Sequence, residues 1–128
     1  MKLLLDTHIA LWAITENPKL PHKVKSLLLT PSVEVFVSVA TIWEVAIKHS
    51  VNRGNMPCSG SEARRFFIDA GYSLLAITDE HVVAIENLAP IHADPFDRII
   101  VAQALSESLR LITHDENVAK YSESIILV

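Results

Sequence analysis

Short, unbroken apolar runs alternate along this chain with longer segments whose apolar residues recur at helical spacing. Leu3-Leu4-Leu5 reads as a strand that stops at Asp6, and Val35-Phe36-Val37 as a second. Leu74 to Ile77, Leu111 to Thr113 and Ile125 to Leu127 read as three more. Between them lie predicted helices over His8–Thr15, Pro21–Leu29 and Val39–His49. The first ends at the Asn17-Pro18 break, and the second carries Val24, Leu27 and Leu28 on one face before Pro31. Val39–His49 is apolar on nearly every side, which predicts deep packing. Val51–Ser61, rich in Asn, Gly and Pro, reads as a loop. Ser59 and Glu62 have capping-box spacing for a helix that runs to Ala70 and closes at Gly71. Thr78 caps a helix over Asp79–Asn87, and a loop spans Leu88–His92. A long helix then continues from Asp94-Pro95-Phe96-Asp97 to Ser108, and Glu116–Lys120 forms a short helical turn.

Strands that are continuously apolar belong to a parallel sheet covered on both faces. The expected fold is therefore α/β: one three-layer α/β/α sandwich over residues 1–128 with about five parallel strands. A chain of 128 residues is one ordinary domain, and three glycines and six prolines exclude a linker-rich chain. No apolar run reaches the length of a bilayer; the stretch Val35–Ile47 is interrupted by Ser38, Thr41 and Glu44. Met1-Lys2-Leu3 leads directly to Asp6 without a signal segment, so a soluble, cytoplasmic protein is expected. The single cysteine, Cys58, excludes an internal disulfide and a thiolate-rich zinc site. The six histidines include no pair at the spacing of a helical zinc motif. A net charge of −4 does not by itself suggest a nucleic-acid partner.

The candidate chemistry lies in four acids. Asp6 ends the first strand, Asp115 follows the fourth, and Asp97 opens the helix that feeds the fourth. In such sandwiches ligands gather beyond the carboxyl ends of the strands. Each acid also has a structural reading. Asp6 and Asp115 are suitable helix N-caps, and Asp94 before Pro95 fits a cap better than a site. Asp97 suits the positive end of a helix dipole. Glu44 could pair with Lys48 four residues on, but its helix is apolar all round, and a buried carboxylate needs a partner or a metal. Clustered carboxylates repel one another unless a hard divalent cation joins them, which points to Mg²⁺ or Mn²⁺. Such an ion would also let an acidic protein hold a polyanion. Lys48, Arg53 and Arg98 are candidate contacts to a phosphate backbone, or else solvated charges. Trp12 and Trp43 could stack on bases, but they are expected in the core.

Four blocks carry a family resemblance: Met1 to His8, Ser38 to Lys48, His92 to Arg98 and Leu111 to Asp115. In this order they resemble the signature blocks of PIN-domain proteins, above all the VapC-type toxins of bacterial toxin–antitoxin pairs. The resemblance implies Mg²⁺- or Mn²⁺-dependent cleavage of RNA, inhibition by a small cognate antitoxin, and a homodimer. It maps the family's acidic site onto Asp6, Glu44, Asp97 and Asp115. In metal-assisted phosphodiester hydrolysis Asp6 and Asp97 would be direct metal ligands, Asp115 a ligand or a water-mediated partner, and Glu44 a ligand or the acceptor of a proton from the attacking water. Asp94 ranks as support; Thr7 and Thr113 would orient carboxylates or water, and Ser38 either does the same or is a simple strand-end hydroxyl.

Two other readings share the aspartates at strand ends. A receiver- or dehalogenase-type phosphotransfer domain would need a second acid beside Asp6 and a lysine near a later strand end. Asp6-Thr7-His8 has no neighbouring acid, and no lysine follows Val101 before Lys120. A catalytically silent PIN-like module that binds RNA or protein is the other alternative; retention of all four acids speaks against it.

Overall fold

Leu3, Leu4 and Leu5 are wholly buried, and the alternation of a strand sends them to opposite faces of the sheet. Leu3 and Leu5 pack with Ile9, Val45, Phe67 and Ile112 on one face. Leu4 packs with Ile100, Val101, Leu111 and Val118 on the other. A strand sealed on both sides has no polar face, which is why the sequence shows an unbroken apolar run there. Replacing Leu4 with alanine would cost ~2–5 kcal/mol, the usual range for a core leucine.

The computed structural model describes all residues, 1–128. Its elements are β1 (Lys2–Leu5), α1 (Thr7–Ile14), α2 (His22–Leu28), β2 (Glu34–Ser38), α3 (Val39–Ser50) and α4 (Gly60–Asp69). Then come β3 (Ser73–Leu75), α5 (Asp79–Ala84) with a 3-10 turn over Ile85–Asn87, α6 (Pro95–Ser106), β4 (Arg110–Thr113), α7 (Glu116–Ala119) and β5 (Ile126–Leu127). All strand pairs are parallel, in the order β3-β2-β1-β4-β5. The α/β sandwich expected from the sequence is the fold observed. No helix is long and apolar enough to cross a membrane.

The chain moves outward from β1 to β2 and β3, then returns to lay β4 on the other side of β1. The order therefore reverses between β1 and β4, and the loops above their carboxyl ends diverge into a crevice.

Three expectations are corrected. Helix α3 is not deeply packed all round: Ala40, Thr41, Glu44 and Val45 are buried, while Val39, Trp43 and Ile47 form an exposed stripe. Two apolar sides on one helix do not reveal which side faces the core. Trp43 is accordingly no core residue; it is 55% exposed and stands edge-on to Phe96 at 4.9 Å. Trp12 is half-buried, edge-on to His114 at 5.2 Å. Strand β3 also stops at Leu75, ahead of the predicted Ile77, and the Ala76 carbonyl accepts the Gln103 amide instead. At the start of α4, a Cβ on Gly60 would stand 2.8 Å from that of Ala46, so glycine lets α4 approach α3 closely.

Candidate active site

Asp6 is the first residue after β1 and caps α1 in an extended conformation. One oxygen, Oδ1, accepts the Thr7 amide at 2.8 Å; Oδ2 accepts the Thr113 hydroxyl at 2.6 Å. Thr113 ends β4, the neighbour of β1, so the pairing of these two strands builds the contact. The same hydroxyl accepts the backbone N–H of Asp115 at 3.0 Å. Asp6 is 4% exposed, and burial raises its carboxyl above the usual aspartate range despite both donors.

Asp115 caps α7, its Oδ1 accepting the amides of Asn117 and Val118 at 2.7 and 3.2 Å. That leaves Oδ2 facing Nε2 of His92 at 3.4 Å. Asp94 caps α6 by accepting the amides of Phe96 and Asp97 at 2.8 and 3.3 Å, with Pro95 at the first helical position. Asp97 lies in that first turn, and its Oδ2 stands 2.8 Å from the same His92 nitrogen. Desolvation, together with the charges of Asp6, Asp94 and Glu44, pushes the Asp97 carboxyl up to about 7, against the opposing pull of His92.

Glu44 is buried and its oxygens are occupied. Oε1 accepts the Thr7 hydroxyl at 2.9 Å, and Oε2 pairs with Lys48 at 2.6 Å. Thr7 also meets the hydroxyl of Thr41 at 3.1 Å. The sequence left a metal as the best account of a buried Glu44; the structure supplies an ammonium and a hydroxyl for it. Lys48, a candidate RNA contact, has its ammonium in that pair. Arg98, another, is also engaged: its guanidinium reaches the carbonyls of Ile85, Ala89 and His92 and the hydroxyl of Tyr121, tying the 85–92 segment to α6. Arg53 stands exposed after α3.

Ser38 does not orient the acids. It caps α3 through the Ala40 amide and donates to Gln103 Oε1 at 2.5 Å. The Gln103 amide nitrogen reaches Ala76 O and His81 Nδ1, and His81 Nε2 meets Glu107 at 3.0 Å. This is a separate, closed network.

Thus Asp6, Asp97 and Asp115 gather at the sheet crevice, with Glu44 close enough to perturb the charges of Asp6 and Asp97. His92 and Thr41 were missed. Thr41 carried no signal beyond its place in an apolar helix. His92 did: it stands two residues before the Asp94 cap, in the same block as Asp97. Its Nε2 is buried and makes no aligned hydrogen bond, although two carboxylate oxygens lie close. Ligand atoms of His92, Asp97 and Asp115 all lie within 4.8 Å of one another. An orphaned ring nitrogen among crowded carboxylate oxygens is a donor set that fits a divalent cation.

The sequence profile of the PIN domain family matches residues 3–124. VapBC2 from Rickettsia felis, bound to a fragment of promoter DNA, is similar in structure with a TM-score of 0.73. That match covers 100% of this chain and 98% of the other at 16% identity. VapBC-1 from nontypeable Haemophilus influenzae gives 0.67, with 20% identity over 100% and 97% of the two chains. A toxin–antitoxin complex from Klebsiella pneumoniae gives 0.60, with 17% identity over 97% and 95%. Identities this low speak to the fold alone. No curated protein matches the chain in sequence.

Proposed function

Because the chain belongs to the PIN domain family, we propose that it is a divalent-metal-dependent ribonuclease and the toxin of a toxin–antitoxin pair. One observation carries the reading: Asp6, Asp97 and Asp115 converge where the strand order reverses, and burial, with the charges of Asp6, Asp94 and Glu44, raises the Asp97 carboxyl to about 7. Carboxylates that resist ionising together are poised for a cation.

Asp6, Asp97 and Asp115 would hold Mg²⁺ or Mn²⁺, and a bound ion of this kind polarises a phosphate and lowers the pKa of a coordinated water. Thr113 fixes the Asp6 carboxylate by donating to Oδ2, leaving further lone pairs on both oxygens. Thr7 and Lys48 hold Glu44 in place, and Glu44 Oε1 would accept the proton of the attacking water. Arg53 is the exposed cation offered to the RNA backbone. A cation in the crevice answers the overall charge of −4, which would otherwise repel RNA.

The relatives with the same fold include toxin–antitoxin assemblies, which supports a small cognate antitoxin as partner. A homodimer is the second expected assembly, supported by the exposed stripe of Val39, Trp43 and Ile47 on α3. Sedimentation of the purified chain tests it; a monomer at micromolar concentration removes it. For the activity, purified protein should cleave RNA in Mg²⁺ or Mn²⁺ and stop in EDTA. Folded Asp97→Asn that cuts as well as the parent would overturn the carboxylate mechanism.

A further inference from the structure

We propose that His92 is a direct donor to the metal, so that the site is a mixed imidazole–carboxylate centre rather than a purely acidic one. This rests on the metal-dependent reading above and adds the ligand that sets metal preference.

Three observations carry it. His92 Nε2 is buried yet has no aligned hydrogen-bond partner. A buried imidazole nitrogen that lies beside carboxylate oxygens without an aligned hydrogen bond is poorly compensated for its lost hydration, and an ion between them would supply the missing partner. The separations also fit. Ligands at adjacent corners of an octahedron with bonds of ~2.1 Å stand ~3.0 Å apart. Nε2 is 2.8 Å from Asp97 Oδ2 and 3.4 Å from Asp115 Oδ2. One ion could therefore touch all three with little movement. Finally, the backbone holds the ring in place: the His92 amide donates to Tyr121 Oη at 2.9 Å, and Arg98 reaches the His92 carbonyl at 3.3 Å. The engagement of Arg98 that removes it from RNA contact thereby serves the ligand segment.

The opposing reading makes His92 an N–H donor that merely steadies the two carboxylates. Nδ1 accepts from the Asp94 amide only at 3.5 Å, the outer limit of a hydrogen bond, so that contact does not fix the ring's proton on Nε2. The misalignment at Nε2 argues further against donation.

An imidazole donor shifts preference away from Mg²⁺, which favours oxygen, toward Mn²⁺ and later transition ions. The test needs no RNA. Electron-spin-echo modulation of Mn²⁺ bound to the intact chain should show a directly coordinated nitrogen, and His92→Gln should lose it. In calorimetric titrations, His92→Gln and His92→Asn should weaken Mn²⁺ by about tenfold or more while Mg²⁺ changes far less. Circular dichroism on both variants checks that they fold. Mn²⁺ bound without nitrogen modulation overturns the His92 assignment and leaves the carboxylate site standing. Equal losses for both ions, or none, also overturn it. A parent chain that binds no Mn²⁺ at all removes the metal-dependent reading itself, and this inference with it.

Discussion

Two polar clusters lie at the carboxyl ends of the same parallel sheet, and they differ in whether they are complete. Above β2 and β3, Ser38, Gln103, His81 and Glu107 pass hydrogen bonds from one to the next, with the Ala76 carbonyl as an additional acceptor. Above β1 and β4, Asp97 and Asp115 lie 2.8 and 3.4 Å from a ring nitrogen that bonds to neither in line, and Asp6 is near enough for its charge to raise the Asp97 carboxyl. The first cluster is neutral or paired throughout; the second concentrates negative charge and raises a carboxyl to about 7. A satisfied network fixes a fold, whereas an unsatisfied one stores a binding requirement. Glu44 sits between the two types: it belongs to the acidic crevice, yet Lys48 and Thr7 have completed it locally.

The largest expected contrast is functional. Asp6→Asn or Asp97→Asn removes a charge that a cation needs, and loss of several kcal/mol of transition-state stabilisation corresponds to a fall in RNA cleavage of more than about a hundredfold. Gel assays of a labelled RNA measure it. The closed network should respond the opposite way. Gln103→Leu strands the Ala76 carbonyl and leaves Ser38 and His81 short of a partner, at a cost of ~2–3 kcal/mol in urea unfolding. Cleavage by the folded fraction should be unchanged. A Gln103 variant that folds normally but loses activity would erase the distinction between the clusters.

That distinction was only half legible in the sequence. Strands β1 and β4 were readable because each is buried on both faces, so Leu3-Leu4-Leu5 and Leu111-Ile112 carry no polar interruption, whereas the edge strands β3 and β5 are only part-buried. The three aspartates were readable because strand ends and helix starts are where this topology opens. Glu44 was found by its apolar surroundings and its pairing with Lys48 was readable from the i, i+4 spacing, but such a pair looks alike on a buried or an exposed face, so its completing a buried carboxylate was not. The network around Gln103 joins residues up to 65 positions apart, and only the fold, which brings α6 to the carboxyl ends of β2 and β3, reveals it. His92 was hidden because its role depends on Asp115, which another strand brings to it.

A smaller effect separates the clusters by pH. Asp97 has a raised folded-state pKa, so its protonated form favours the fold below about 3.8, and that contribution fades as pH rises toward about 7. The ionised side chain in a metal-free crevice then costs stability. With solvent at the mouth of the crevice reducing the full shift, Asp97→Asn should be more stable than the parent by ~1–2 kcal/mol at pH 8 in EDTA. The gap should shrink near pH 4, where the parent carboxyl keeps its proton. Mn²⁺ should narrow it from the other side by stabilising the parent more than the variant. A gap that is the same at both pH values would mean that burial and the neighbouring acids do not raise the Asp97 carboxyl.

The smallest expected effect concerns Asp94, which touches both sides of the comparison. Its carboxylate is satisfied as the cap of α6, yet its charge also helps to raise Asp97. The two roles separate by substitution. Asp94→Ala loses the cap and should cost ~1 kcal/mol in thermal or urea unfolding. Asp94→Asn retains an oxygen that accepts the Phe96 and Asp97 amides, so the helix should keep most of its stability. It removes the negative neighbour, however, so the folded-state pKa of Asp97 should fall. The pH at which the parent-type loss of stability is complete should then move to lower values, read from unfolding curves collected across pH 4 to 8 in EDTA. If Asp94→Asn leaves that pH unchanged, Asp94 acts as a cap alone, and the crowding of Asp97 comes from burial, Asp6 and Glu44.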